Sequence, residues 1–253
     1  MIHVDLLIHS ATQLVTCASA EGPKRGPALA DAGEIANGAI AVAAGLIVAV
    51  GTSDDLRGQY QAATEIDASG QVVCPGFVDA HTHLVFAGDR TREFEAKLRG
   101  ASYMEILQAG GGILSTMHAT RAASPEELAY QSRVRLREMS RLGTTTVEIK
   151  SGYGLDTASE IKILAAAAAL ADGGFCEVVP TFLGAHAVPP PYQGRSDDYT
   201  RLVIEEMLPA AIEWHSRSPL AAQPFFCDVF CEPGAFDYAQ TAAILQAAQQ
   251  FAM

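Results

Sequence analysis

The chain is short of positive charge: 17 Lys and Arg stand against 29 Asp and Glu, a formal charge of −12. That imbalance disfavours nucleic acid and anionic membranes as partners, because the long-range field repels both. Long apolar runs are also missing. The most apolar stretch, residues 163–171, is far too short to span a bilayer, so no membrane association is expected. Residues 1–5 lack a basic segment followed by an apolar run, so no secretory signal is expected and a cytoplasmic location follows. The five cysteines are an odd number set within or beside apolar strand-like runs, which favours buried free thiols over a disulfide framework. Cys227 and Cys231 lack the C-x-x-C turn of a zinc site. Internal repeats are absent too, and Gly110, Gly111 and Gly112 are followed by no Lys-Ser/Thr that would complete a phosphate loop.

What is present is a globular composition, 49% hydrophobic and 18% charged. The pattern changes once along the chain. Residues 1–70 carry short apolar runs at 4–8, 39–42, 46–50 and 64–67, each closed by turn residues, which reads as a small antiparallel β module. Ala44 and Gly45 make a hairpin between the second and third runs, and residues 20–33 read as a surface loop. With a boundary near residues 68–71, residues 71–253 then alternate apolar strands at 72–79, 144–149, 177–183 and 226–230 with helices. Alternation of this kind signals βα units around a parallel sheet.

The helix ends are readable. Ser124, Pro125 and Glu127 supply a cap, a first-turn proline and a capping-box glutamate; Thr157 and Glu160 repeat that pattern before an Ala-rich helix. A third helix spans 198–215 with a bend at Pro209, and a fourth starts at 237. The fold class is therefore α/β, a partial (β/α)8 TIM-like barrel of about four units preceded by the β module. A closed barrel takes eight units in about 250 residues. Half of one leaves unpaired strand edges and an open apolar core.

The most informative stretch is Pro75-Gly76-Phe77-Val78-Asp79-Ala80-His81-Thr82-His83. Strand alternation puts His81 and His83 on one face, about 6–7 Å apart, a spacing that suits chelation of one metal ion at a barrel mouth. Imidazole ligands serve zinc, iron or nickel alike. Taken singly, the other residues have two readings each. Arg90 is either a clamp for an anion or one of several surface arginines with Arg92 and Arg99. Tyr153 lies between two glycines that let a loop approach a ligand, or simply covers the core. His186, followed by Ala-Val-Pro-Pro, is a site residue or a satisfied turn.

Taken together, four stretches resemble the imidazolonepropionase family of metal-dependent amidohydrolases, in the family's order: the histidine motif running on to Leu84-Val85-Phe86-Ala87-Gly88-Asp89-Arg90, residues 144–154 ending in Lys150-Ser151-Gly152-Tyr153-Gly154, residues 181–190 around His186, and residues 228–236 around Glu232. The resemblance covers essentially the whole chain. It implies a single metal ion, zinc or iron, held by His81 and His83, with Arg90 binding a propanoate carboxylate and Tyr153 contacting substrate. His186 would act as the catalytic residue, contacting the substrate carbonyl or the tetrahedral intermediate. Lys150, which in some relatives bridges two metals, is given a structural role. For the complete enzyme the resemblance implies hydrolysis of 4-imidazolone-5-propanoate to N-formimidoyl-L-glutamate in histidine degradation, a small anionic substrate and a homodimer. Further metal ligands are expected beyond Met253. The competing readings are an inactive or incomplete amidohydrolase fragment, and another cyclic-amide hydrolase or an aminohydrolase acting on a neutral base, which needs no Arg90.

Overall fold

A computed structural model describes residues 1–19, 22–102, 105–106 and 110–253. Contacts divide the chain into two units, Met1–Gly76 and Phe77–Met253.

In the first unit β1 (Ile2–Val15) pairs antiparallel with β2 (Glu34–Ala43), which pairs antiparallel with β3 (Leu46–Thr52). The hairpin at Ala44 and Gly45 has both residues at positive φ, +51° and +76°, as a two-residue turn between twisted strands requires. Asp5 offsets the strain at Ala44 by accepting its N–H at 2.6 Å. A helix that no sequence signal announced, α1 (Ser53–Gln59), is capped by the Thr52 hydroxyl and buries Leu56. It carries the chain across so that β4 (Tyr60–Asp67) joins β1 in parallel, the geometry that needs a crossover rather than a hairpin. Ser10 sits at φ +59° where the β1 register shifts, and the strand's apolar residues divide there. Val4 and Leu7 enter one cluster, Ala11 and Leu14 another. Of the expected surface loop, residues 20 and 21 lie outside the described residues, and Gly26–Ala30 forms a 3-10 turn.

The expected strand at 72–79 is two strands. β5 (Val72–Val73) pairs with β1, and β6 (Phe77–Thr82) opens the second unit, because Pro75 cannot donate a ladder hydrogen bond and separates them. β6 is followed by α2 (Thr91–Leu98), α3 (Ile113–Ala122), α4 (Pro125–Arg141), β7 (Thr144–Lys150), α5 (Thr157–Ala171), β8 (Glu177–Ala185), α6 (Ser196–Leu202), α7 (Leu208–Arg217), β9 (Phe226–Val229) and α8 (Tyr238–Gln249). The sheet runs β6-β7-β8-β9, every pair parallel, a curled half-barrel. Alternation sorts its faces. Val147 and Ile149 of β7 pack with Leu128, Leu136 and Ile163 of the helices, while Glu148 and Lys150 take the other face.

Local chemistry explains the helix ends. Ser124 caps α4 through the Glu127 N–H, and Asp237 and Gln240 make a reciprocal capping box on α8. The cap of α5 is Asp156, not Thr157, and Glu160 does not reach back to the cap because it is turned inward. At Pro209 the helix does not break. A π turn, Val203–Met207, joins α6 to α7 and absorbs the hydrogen bond that proline cannot donate. The cysteines are all free, but Cys17, Cys74 and Cys231 are exposed and only Cys176 is buried, contrary to the expectation of buried thiols: the three exposed ones lie just beyond strand ends, in connecting segments open to water.

Lys150 ties three strands together. Its ammonium, 7% exposed, lies 2.7 Å from Glu148 of its own strand and 3.0 Å from Asp228 of β9, and Thr181 of β8 donates to the same Glu148 oxygen. Burial works against the charge, but the hydrogen bonds to Glu148 and Asp228 outweigh it and hold the lysine pKa above its ordinary value. Lys150→Met strands two carboxylates beneath the site. It is expected to cost about 3 kcal/mol of stability, read from urea unfolding by the fluorescence of Trp214.

Candidate functional site

Four parallel strands deliver their C-terminal ends to one edge of the sheet, and the chain's chemistry collects there. His81 lies near the end of β6 and His83 one residue past it, with ring centroids 5.9 Å apart. Thr82 between them donates to the Glu148 carbonyl at 2.6 Å, which fixes the turn of the chain at the pair. His186 follows β8 and stacks on His83 at 4.4 Å with the rings nearly parallel, 5° between planes. Tyr153, in the loop after β7, closes the cluster 5.0 Å from His83 and 5.4 Å from His186. Phe230, just past β9, meets His186 edge-on at 5.9 Å. Its place in the cluster was not legible in the sequence, where nothing distinguishes it from a core aromatic.

Burial holds His83, His186 and Tyr153 in their neutral forms. Burial, followed by the proximity of His186 and His81, pulls the pKa of His83 down to about 3. Burial also lowers that of His186 and raises that of the Tyr153 phenol, which therefore keeps its proton. His186 Nδ1 donates to the Gly152 carbonyl at 2.9 Å, since a carbonyl can only accept, so the neutral ring presents a lone pair at Nε2. His83 Nδ1 is buried with no hydrogen-bond partner among the described residues. A buried nitrogen without a partner is costly, and a metal ion would relieve it. The donor set, two imidazoles with ring centroids 5.9 Å apart, fits such an ion. Among the described residues, no group of three His, Cys, Asp or Glu is arranged to hold one, so the pair would be part of a larger ligand set.

Arg90 stands at the start of α2, with its Nε donating to Thr116 at 3.1 Å. That bond orients the guanidinium, and its two terminal nitrogens make no hydrogen bond to the described residues. Arg90, Gly112, Ile113, Tyr153, His186 and Phe230 line one cleft of about 470 Å³. Gly112, in the glycine run that only superficially suggests phosphate binding, gives its N–H to Glu93 at 2.9 Å. Glu232 is exposed.

Sequence reasoning missed Glu160. Capping logic assigns it to the start of a helix, yet it is fully buried and accepts backbone N–H groups of the Tyr153 loop. A signal was present: Glu160, Ile163, Leu164 and Ala167 share one helical face, so a carboxylate stands in an apolar row.

No family model matches the chain. It is 55% identical to an imidazolonepropionase of Chloroflexus aggregans over 98% of its own length and 59% of that protein's. It is 49% identical to an imidazolonepropionase of Herpetosiphon aurantiacus over 97% of its own length and 57% of that protein's. The chain thus spans less than two thirds of the curated relatives it matches. Among solved structures, a zinc-bound adenosine deaminase from Xanthomonas campestris aligns with 100% of this chain and 48% of its own, at 21% identity and a TM-score of 0.55. A triazine hydrolase from Arthrobacter aurescens aligns with 98% and 51%, at 18% identity and a TM-score of 0.58. At such identities the likeness is one of fold alone.

Gly152 is held at φ +110°, and a Cβ there would lie 2.9 Å from both His186 Nδ1 and the Leu183 carbonyl. Gly152→Ala is expected to destabilise the chain by about 2 kcal/mol and to displace His186, visible as a shift of its imidazole 15N resonances.

Proposed function

We propose that the chain is a portion of an imidazolonepropionase, contributing two metal-binding histidines and the substrate clamp to an enzyme that hydrolyses 4-imidazolone-5-propanoate to N-formimidoyl-L-glutamate. The observation that carries this reading is the cleft itself. An anchored guanidinium shares the cleft with Tyr153 and with His186, which stacks on His83, on a protein whose net charge of −12 would otherwise repel an anionic substrate. The identity to curated imidazolonepropionases over nearly the whole chain supports the same substrate.

His81 and His83 hold one zinc or iron ion in this reading, with further ligands from the part of the protein outside this chain. When bound, the ion supplies Lewis acidity and activates water at neutral pH. Arg90 takes the propanoate carboxylate in its two-pronged fork, which sets the position of the imidazolone ring in the cleft. Tyr153, protonated because it is buried, donates a hydrogen bond to the ring. His186 enters as a base. With Nδ1–H committed to Gly152, its Nε2 accepts a proton from the attacking water and, once protonated, hydrogen-bonds to the carbonyl oxygen as negative charge gathers there on addition; when the C–N bond breaks, that proton passes to the departing ring nitrogen. Phe230 and the stacked imidazoles keep bulk water from the reacting bond.

The 253-residue chain alone is expected to show no measurable turnover, because two ligands rarely hold a catalytic metal. Joined to the downstream segment of the Chloroflexus aggregans relative and loaded with zinc or iron, it is expected to consume the imidazolone, followed by ultraviolet absorbance. Chelation should abolish turnover and metal readdition restore it. Arg90→Ala is expected to raise KM about 100-fold with a smaller change in kcat, the loss of a bidentate charge-assisted contact. A folded, metal-loaded protein that leaves the imidazolone untouched, or an Arg90→Ala variant with unchanged KM, would move the assignment to an aminohydrolase or to a hydrolase of an uncharged cyclic amide.

A further inference from the structure

The loop between β7 and α5 carries Tyr153, and its backbone is held from inside the protein. Glu160, in the first turn of α5 and 0% exposed, accepts the Gly152 N–H through Oε2 and the Gly154 and Leu155 N–H groups through Oε1, each at 2.7 Å. These three donors bracket Tyr153 on both sides. The carbonyls of the same loop point the other way. Gly152 accepts from His186 Nδ1 at 2.9 Å, and Gly154 accepts from Arg121 Nε at 2.6 Å. Gly154 has no room for a side chain, since a Cβ would lie 2.6 Å from the Glu160 backbone nitrogen. Loop and helix are therefore in van der Waals contact around the carboxylate.

We propose that Glu160 is a positioning residue for the reaction: by binding the N–H groups of Gly152, Gly154 and Leu155, it sets the orientation of Tyr153 and of the Gly152 carbonyl that selects the His186 tautomer. The functional roles of Tyr153 and His186 rest on the reading above, whereas the positioning rests on hydrogen bonds alone. A carboxylate is the group this place requires. All three partners are donors, so both oxygens must accept, and the amide of a glutamine would turn an N–H against an N–H. Aspartate keeps both acceptors but falls short by about 1.5 Å. Burial raises the Glu160 pKa, while the three amide bonds and one from the Ser151 side chain oppose it by favouring the carboxylate; three bonds to one buried group hold the loop on both sides of Tyr153.

The test is heteronuclear NMR on the full chain without metal or substrate, comparing the wild type with Glu160→Gln and Glu160→Asp. In the wild type the Gly152, Gly154 and Leu155 amides are expected to resist hydrogen exchange, and His186 to carry its proton on Nδ1. In Glu160→Gln, exchange at those three amides should quicken about tenfold or more and His186 should populate the Nε2–H tautomer, while amides of β7 keep their protection. Glu160→Asp should change the same signals in the same direction by less. Fast exchange of the three amides in the wild type would overturn the proposal. So would a folded Glu160→Gln protein, by circular dichroism and Trp214 fluorescence, in which the His186 tautomer is unchanged. Should Glu160→Gln fail to fold, Glu160→Asp decides: lowered thermal stability with an unaltered His186 tautomer assigns Glu160 to the fold alone and overturns the proposal. No substrate enters the measurement, so a failed turnover experiment leaves its result standing, and the converse also holds.

Discussion

The structure of the second unit depends on the parallel alignment of β6, β7, β8 and β9. Parallel neighbours cannot be joined by a tight turn, so every connection must return over one face as a helix. One consequence is a covered face, where the apolar side chains of the strands meet the helices. The other is that all four strands finish at the same edge. His81 and His83, the Tyr153 loop, His186 and Phe230 stand at or just past the ends of four different strands and come from positions as far apart as residues 81 and 230. They meet because those strands all point the same way.

The face opposite the helices is polar, and its groups are held by one another. Lys150 lies between Glu148 and Asp228, Thr181 donates to Glu148, and Thr82 binds the Glu148 backbone. A buried charge is tolerable only with partners at close range, so these contacts fix the distance between β7 and β9 as well as neutralising each other. Glu160 applies the same rule at the loop, with backbone amides in place of a cation. Two buried atoms of this region lack a hydrogen-bond partner among the described residues, His83 Nδ1 and Glu148 Oε2, and the pKa of the His83 ring is driven down to about 3. A ligand at the histidine pair would relieve the first of them.

The outer strands tell a different story from the inner ones. β6 and β9 each pair on one side only among the described residues, and Phe77 and Val78 on β6 are 59% and 66% exposed. Central β7 and β8 bury nearly all their apolar side chains. Exposed aromatic and β-branched residues on an open strand edge are the surface of an interior. That fits a chain spanning 59% of the length of its imidazolonepropionase relative.

Much was legible from residue order alone, because periodicity and capping act within a few residues. The change from hairpins to βα units, the four strands of the half-barrel, the cap at Ser124, the start of a helix at Asp237, and the proximity of His81 to His83 all follow from local spacing and element geometry. Grouping Arg90, Tyr153 and His186 with that pair needed the family resemblance as well, since each had a bland reading by itself. Only the tertiary structure decided the rest. It assigned Val72 and Val73 to β1 instead of β6, turned Glu160 from a cap into the anchor of a distant loop, chose which nitrogen of His186 bonds and left Cys17, Cys74 and Cys231 exposed. Each of these depends on which donor meets which acceptor across elements far apart in the chain. Local spacing fixes the face of a helix or strand, but not what packs against it.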